Sequence, residues 1–247
     1  MIVDLEGVRG DRGWACLDEV DGTVGSAKHP DRWGRLLGVN AQVDEQSREV
    51  VVQVQGRRAV AGSELADTLL SEHLGRPVRL TGTVPERARL HRRLPEEPGL
   101  MPDWMDAVPG QELVTELSGA RPGGRFVDFG PVHLVTTGAL AELARQLGRG
   151  SVDADRFRPN VIIDAAHDPV PGQELTIGDV VLRVVLPTPR CVVPGLDDEG
   201  GAVDRQLLGT LAKRHRTAVG DLGRAACFGV YAKVLQPGQL TLGQVIR

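Results

Sequence analysis

The sequence predicts an α+β protein that is mainly β: a β-barrel with an N-terminal β-rich domain and a few peripheral helices. Three observations carry this. Strand-like runs in the second half are short, β-branched and bounded by Pro-Gly turns. Helical patterns occur but do not alternate with strands as a parallel α/β sheet requires. A proline- and charge-rich stretch interrupts the chain, which divides it into 1–82, an irregular linker or excursion at 83–124, and a barrel domain at 125–247. With 247 residues, 41% of them apolar, the chain can bury a real core.

The first element is a hairpin, because GWACLDEV and TVGSAK flank Asp21-Gly22, a two-residue turn signal. His29-Pro30 then argues for a break. REVVVQVQG alternates in part and reads as a strand. GSELADTLLSEHLG reads as a helix: Ser63 caps it, Leu65, Leu69 and Leu70 share a face, and Gly75 ends it. RPVRLTG is a short strand. Residues 83–124 have no countable period, and Arg87, Arg89, His91, Arg92 and Arg93 form a basic run there. That run is either a solvated face or an anion-facing loop at a cleft. PVHLVTTGALAELARQLG passes from a β-like segment into a helix capped by Thr136 or Thr137, with Leu140, Leu143, Ala144 and Leu147 as its stripe. Strands at RFRPNVIIDA, GDVVLRVVL and RCVVPG follow, then a helix at DRQLLGTLAKRHR and the strand-rich end FGVYAKVLQPGQLTLGQVIR.

Composition excludes several classes. A net charge of −4 and 3% aromatic residues argue against a nucleic-acid partner. No apolar run nears the roughly 20 residues of a membrane helix, so no membrane partner is expected. MIVDLEGVRGDRGW lacks the basic region and apolar core of a signal peptide, and the expected location is cytoplasmic. The three cysteines make no disulfide framework and no CxxC pair. There is no GxSxG, HExxH, Walker loop or GxGxxG opening a helix.

Chemistry concentrates at three places. Cys191 follows Arg190, with Pro187 and Pro189 stiffening the approach and Pro194 the exit. A thiolate is the reactive and metal-binding form of cysteine, and a neighbouring cation favours it. Cys16 and Cys227 lie in apolar strand contexts and fit the core. In RFRPN, Arg156 and Arg158 are two apart and would point to one side of an extended chain. Pro159 keeps Arg158 out of the helical region, and Asn160 adds a donor and an acceptor. In GVRGDRGW, glycines let the backbone approach a ligand, and Asp11 can orient Arg12.

GDRGWACLD…GSAKHP, RFRPNVIIDA and RCVVPGLDDEGG…FGVYAKVLQPGQLTLGQVI, in that order, resemble the MOSC family of molybdenum-cofactor-binding domains, related to the C-terminal part of molybdenum cofactor sulfurases. The nearest resemblance is to its two-part members, the mitochondrial amidoxime reducing component and bacterial reductases of N-hydroxylated bases. The resemblance implies a β-barrel with an N-terminal β-rich domain and a bound molybdopterin. It implies that Cys191 is catalytic and coordinates molybdenum, that Arg158 and Asn160 bind the pterin and its phosphate, and that Arg12 lies in the cofactor cleft. Arg190, Thr136 and Lys28 join them as cofactor-binding residues, Lys28 standing where the family often has arginine. Relatives usually begin with one more strand, ending Pro-Val-Lys-Ser, and the N-terminal domain here is expected to lack it or to be completed differently.

Three functions stay open. One is a molybdenum-dependent oxidoreductase that reduces N-hydroxylated or N-oxide substrates. No cysteine-rich segment offers an iron–sulfur cluster, so electrons come from a separate iron–sulfur or flavin reductase. Another is a sulfur-transfer protein with a persulfide on Cys191, supplied by an upstream pyridoxal phosphate-dependent donor not bound here. The third is a non-catalytic cofactor carrier. In the first, the other partner is a small-molecule substrate.

Overall fold

The computed structural model describes residues 1–44, 46–47, 49–198 and 200–246. Its centre is built on one long β-branched run. Arg224–Gln236 pairs antiparallel with Val132–Thr136 on one side and with Val180–Pro189 on the other. Val161–Ile163 adds parallel to Val132–Thr136, Glu174–Ile177 adds antiparallel to Val180–Pro189, and Arg216–Ala218 pairs with the start of the long strand. Register shifts along Val180–Pro189 bend this six-stranded sheet into a half-barrel. The fold is therefore α+β and mainly β. One face buries Leu134, Leu182, Val184, Val230 and Ala232. Against Val135 and Phe228 pack helices Thr137–Leu147 and Arg205–Arg214, through Leu143, Leu147, Leu207 and Leu211.

Two prolines inside Val180–Pro189 have a topological reason. Glu174–Ile177 covers only Val180–Arg183, so beyond Val184 the strand has a neighbour on the long-strand side alone. Pro187 and Pro189 lie in this edge portion, where a missing N–H costs no ladder bond. Gly229 has an equally local cause. Its φ is +72°, and a Cβ there would lie 2.4 Å from the Leu134 carbonyl oxygen and 2.6 Å from His133 Nε2.

Several sequence expectations need correction. Helix and strand do alternate once: Val132–Thr136, the helix Thr137–Leu147 and Val161–Ile163 form one β-α-β crossover. Thr136 caps that helix, its Oγ1 accepting from Ala139 N–H at 3.2 Å. Ala15–Asp18 makes a one-bridge hairpin across Asp21-Gly22, with Leu17 opposite Val24 and with Asp18 N–H donating to Thr23 O and Gly25 N–H to Cys16 O, each at 2.8 Å; its longer ladder is with Val78–Thr81. Asp21 closes that turn by accepting from Thr23 N–H and Oγ1–H, and Val24 then donates its N–H to Arg89. In the helix Glu64–Leu74 the buried face is Ala66, Leu69, Leu70 and Leu74, while Leu65 is 51% exposed. It packs on the antiparallel sheet of Asn40–Val43, Val50–Val54 and Arg57–Val60 through a shared core with Trp33.

The stretch 83–124 is not irregular throughout. Arg89–Arg93 and Glu112–Glu116 form an antiparallel ribbon whose cross-strand positions pair Arg89 with Glu116 and Arg93 with Glu112. The charged contacts that cross it join Arg87 to Glu116 at 2.9 Å and His91 to Glu112 at 2.7 Å rather than these facing positions, and along Arg89–Arg93 only Leu90 is buried. Ile2–Asp4 pairs with Gly7–Val8 and Gly238–Gln239, and Val3 enters the half-barrel core. Gly34 and Gly200 hold the loop after Cys191 against the N-terminal part, because a Cβ on Gly200 would meet the Gly34 backbone at 2.3 Å.

Candidate functional site

A cleft of about 630 Å³ opens where the N-terminal part, the charged ribbon and the end of Val180–Pro189 meet. The strand delivers Arg190 and Cys191 into it, and Arg190 N–H donates to Ala226 O at 2.8 Å, which fixes the exit. Cys191 is half-buried, whereas Cys16 and Cys227 are buried in the apolar cores. Burial pushes both of those thiols up to about 12, so they stay protonated.

Cations surround the Cys191 sulfur. Arg190 Nη2 donates to Phe157 O at 3.1 Å, its guanidinium lies 5.3 Å from the Phe157 ring centroid, and its Nε is buried without a partner. Burial lowers its pKa, with Tyr231 and Cys191 opposing. Lys28 pairs with Asp128, and Arg92 reaches the same carboxylate at 3.7 Å while donating Nε–H to Thr115 Oγ1 at 2.9 Å. Burial lowers the Lys28 ammonium. Cys191 opposes the shift, and Arg92, Arg190 and Arg12 reinforce it. Arg12 and Arg158 complete the ring. Both adopt left-handed backbone, φ 52° each, costing about 1–3 kcal/mol per residue. Arg158 is exposed and its side chain has no partner among the described residues, as a group directed at an external anion would stand.

Arg12 is held by a relay. Asp11 Oδ2 accepts from Arg12 Nη1 at 2.8 Å and from Asn160 Nδ2 at 2.9 Å. Asn160 Oδ1 in turn accepts from His133 N–H at 2.8 Å. Asp11 does orient Arg12, as the sequence suggests, but both ends of the Asn160 amide are occupied by protein. Asn160 stands behind the wall of the cleft. Thr136 is also withdrawn. It is fully buried, donates Oγ1–H to Asp168 at 2.8 Å, and caps its helix. Arg156 does not share a side with Arg158, because Ala154–Phe157 is a 3₁₀ turn rather than extended chain. Arg156 Nη1 donates instead to Pro194 O and Leu196 O at 3.2 and 3.3 Å.

The structure thus brings together Arg12, Lys28, Arg158, Arg190 and Cys191, and sets Asn160 and Thr136 back. It adds residues that the sequence does not single out. Arg92 belongs to the basic run, and here the anion-facing alternative describes it better than the solvated one. Tyr231 stacks on Phe129 with centroids 5.9 Å apart and tilts against buried His133 at 5.6 Å. Burial pushes the His133 imidazole down to about 3, and Arg190 and Arg12 add to the effect, so it stays neutral. A Gly130 Cβ would sit 2.6 Å from the Tyr231 ring, so the glycine leaves the room that the ring fills, a pairing visible only in the structure.

No helix among the described residues is long and apolar enough to cross a membrane. The family model of the MOSC domain matches residues 124–247. The chain is similar to mitochondrial amidoxime reducing component 2 of Rattus norvegicus, 32% identical over 127 residues, 49% of this chain and 37% of that protein. It is 30% identical over 129 residues to mitochondrial amidoxime-reducing component 1 of Homo sapiens, 49% of this chain and 37% of that protein. To the human component 2 it is 29% identical over 128 residues, with shares of 49% and 38%. The match spans little more than a third of each of these relatives. Among solved structures, the YUAD protein from Bacillus subtilis matches with a TM-score of 0.35 and 14% identity, over 57% of this chain and 68% of that one.

Proposed function

The chain belongs to the MOSC domain family, and from that premise we propose that it is a molybdenum-cofactor-dependent oxidoreductase that reduces N-hydroxylated or N-oxide substrates. The observation that carries this reading is a single half-buried thiol, Cys191, at the centre of a cationic cleft. The residues present fit the cofactor. Among the described residues no group of three or more His, Cys, Asp or Glu could hold a metal ion, so Cys191 would be the one protein ligand and the pterin dithiolene would supply others. The buried, unpartnered Nε of Arg190 and the free guanidinium of Arg158 are donors suited to a phosphate.

When bound, the cofactor would supply a redox-active metal suited to two-electron reduction of the N–O group. Overall, the N–O bond breaks, two electrons and two protons are consumed, and water leaves. A separate flavin or iron–sulfur protein would deliver the electrons. The chain's own part is placement. Arg158 and Arg12 would take the phosphate, Arg12 being held in position by Asp11 and Asn160. Lys28 and Arg92 would face the anionic centre from the other side while sharing Asp128. His133, neutral and buried, packs behind Tyr231 without adding charge to the wall. The proposed division of labour places the thiol and Arg158 in residues 125–247, with the N-terminal part closing the cleft and adding Arg12 to the phosphate donors.

The test uses protein purified from cells that make the cofactor, with a reduced viologen as donor. Turnover of a hydroxamic acid to its amide is expected in wild type and absent in Cys191→Ala. Metal-free wild type carrying a persulfide on Cys191 would replace this reading with sulfur transfer. Loaded protein inactive on every N-hydroxyl compound would replace it with a carrier role.

A further inference from the structure

Arg156 does not line the cleft, although Phe157 and Arg158 beside it do. It is half-buried and reaches the loop that follows Cys191, where Nη1 donates to Pro194 O at 3.2 Å and to Leu196 O at 3.3 Å. These carbonyls flank Gly195 at the end of the 3₁₀ turn Val193–Gly195. Arg190 returns the contact from the other side of Cys191. Its Nη2 donates to Phe157 O at 3.1 Å, and Phe157 is buried and stacked on Phe228 with centroids 4.1 Å apart. Two arginines therefore stitch the turn Ala154–Phe157 to the segment that carries Cys191, one in each direction. Both donate to backbone carbonyls, which are uncharged, so the stitching fixes position and leaves both positive charges in place.

The two arginines differ in what else they face. Arg190 lines the cleft and keeps an unpartnered Nε, whereas Arg156 is outside it. The rest of the loop is held by other means. Asp204 N–H donates to Gly195 O at 2.6 Å, and Leu196 bridges Val203. Arg149 ties the far end through the Asp204 carboxylate at 2.5 and 3.0 Å, and the tip rests on Gly34 through Gly200. None of these contacts reaches the turn Ala154–Phe157. That matters for Arg158, which caps the turn in left-handed backbone at φ 52° and whose side chain has no partner among the described residues. Without a side-chain anchor, Arg158 stands where the turn puts it. The turn in turn is registered on the Cys191 loop through Arg156 and Arg190.

We propose that Arg156 is a positioning residue that sets the separation between the Cys191 thiol and the Arg158 guanidinium, so that one ligand can span both. The proposal rests on the cofactor reading for the identity of that ligand. Its test runs first on cofactor-free protein, so the two can fail separately. The rate of Cys191 alkylation by anionic iodoacetate, divided by the rate with neutral iodoacetamide, reports the cations that face the sulfur. A change in thiol exposure alone moves both rates and leaves the ratio. Arg158→Ala should lower the ratio about threefold, the scale of one unit charge several ångströms away in water. Arg156→Ala should lower it by a similar factor, and the double variant should go no lower, because the two side chains act as one unit. If Arg156→Ala does not fold, Arg156→Lys replaces it and should show a smaller drop that vanishes in the Arg158→Ala background. In protein from cells that make the cofactor, Arg156→Ala should hold several-fold less molybdenum than wild type. The alkylation pattern in a wild type that holds no molybdenum would keep the positioning role and reject the cofactor reading. An unmoved ratio in folded Arg156→Ala, or in Arg158→Ala, would overturn the proposal. So would independent effects that multiply to about ninefold in the double variant, or a wild-type molybdenum content in Arg156→Ala.

Discussion

Replacing Asn160 by Ala separates two roles for that side chain. The family resemblance makes Asn160 a ligand contact, whereas its amide here is used up between His133 N–H and Asp11. Removing it leaves a backbone N–H in the strand Val132–Thr136 without its acceptor, which costs about 1–3 kcal/mol when buried. It also removes a hydrogen bond to a carboxylate, worth about 1.5–3 kcal/mol. Asn160 is half-buried, so water replaces part of both. The lower end applies, about 2 kcal/mol in all, and the Tm of a protein this size should fall by about 4–8 °C. The measurement is a melting curve on metal-free protein, where no cofactor contact contributes. A sulfate titration of the same samples should show weaker binding in the variant, because Arg12 loses the anchor of its Asp11 partner. If metal-free Asn160→Ala melts with wild type and differs only when loaded, Asn160 touches the ligand directly and the scaffold role is wrong.

Other outcomes follow from the same geometry. A maleimide at pH 8 should label Cys191 in native protein and spare Cys16 and Cys227, whose thiols burial holds near 12. Early labelling of either buried cysteine, confirmed by peptide mapping, would contradict the assignment. Gly229→Ala, with φ +72° and a Cβ 2.4 Å from the Leu134 carbonyl oxygen, should lose about 3 kcal/mol of stability. A wild-type denaturation midpoint would show that the strand yields there more easily than argued. Folded His133 is pushed down to about 3 from an ordinary 6.5, so the unfolded chain binds the extra proton between those pH values. Its contribution to stability is full above pH 6.5 and is lost as pH falls toward 3. His133→Gln should therefore flatten the acid limb of the stability curve by up to about 1.4 kcal/mol per pH unit. Parallel limbs in the two proteins would remove His133 from the account.

Much of the sheet and half of the site were legible because their causes are local. Gly75 and Gly148 end helices, Thr136 caps one, and most of the β-branched runs became strands; RCVVPG did not, because Pro194 sits in a 3₁₀ turn, Val193–Gly195. Cys191 stood out because arginine and prolines frame it in a few residues. What was not legible depends on distant pairing. Ala15–Asp18 keeps a single bridge across the turn and takes its longer ladder from Val78–Thr81, which no local signal encodes. The ribbon Arg89–Arg93 with Glu112–Glu116 carries no apolar period, since only Leu90 of Arg89–Arg93 is buried. Arg158 and Arg156 separated because the chain turned through a 3₁₀ segment instead of extending. The partners that Asn160 holds in the structure, Asp11 and His133, were not legible because they lie far from it in sequence.

The central claim is that Cys191 holds molybdenum in this cationic cleft. Elemental analysis of wild type and Cys191→Ala, both purified from a strain that makes the cofactor, tests it most directly. The account predicts close to one molybdenum per wild-type chain, as expected for a single filled site, and loss of most of it in Cys191→Ala with the Tm little changed. Equal molybdenum in the two proteins, or none in wild type, would contradict it.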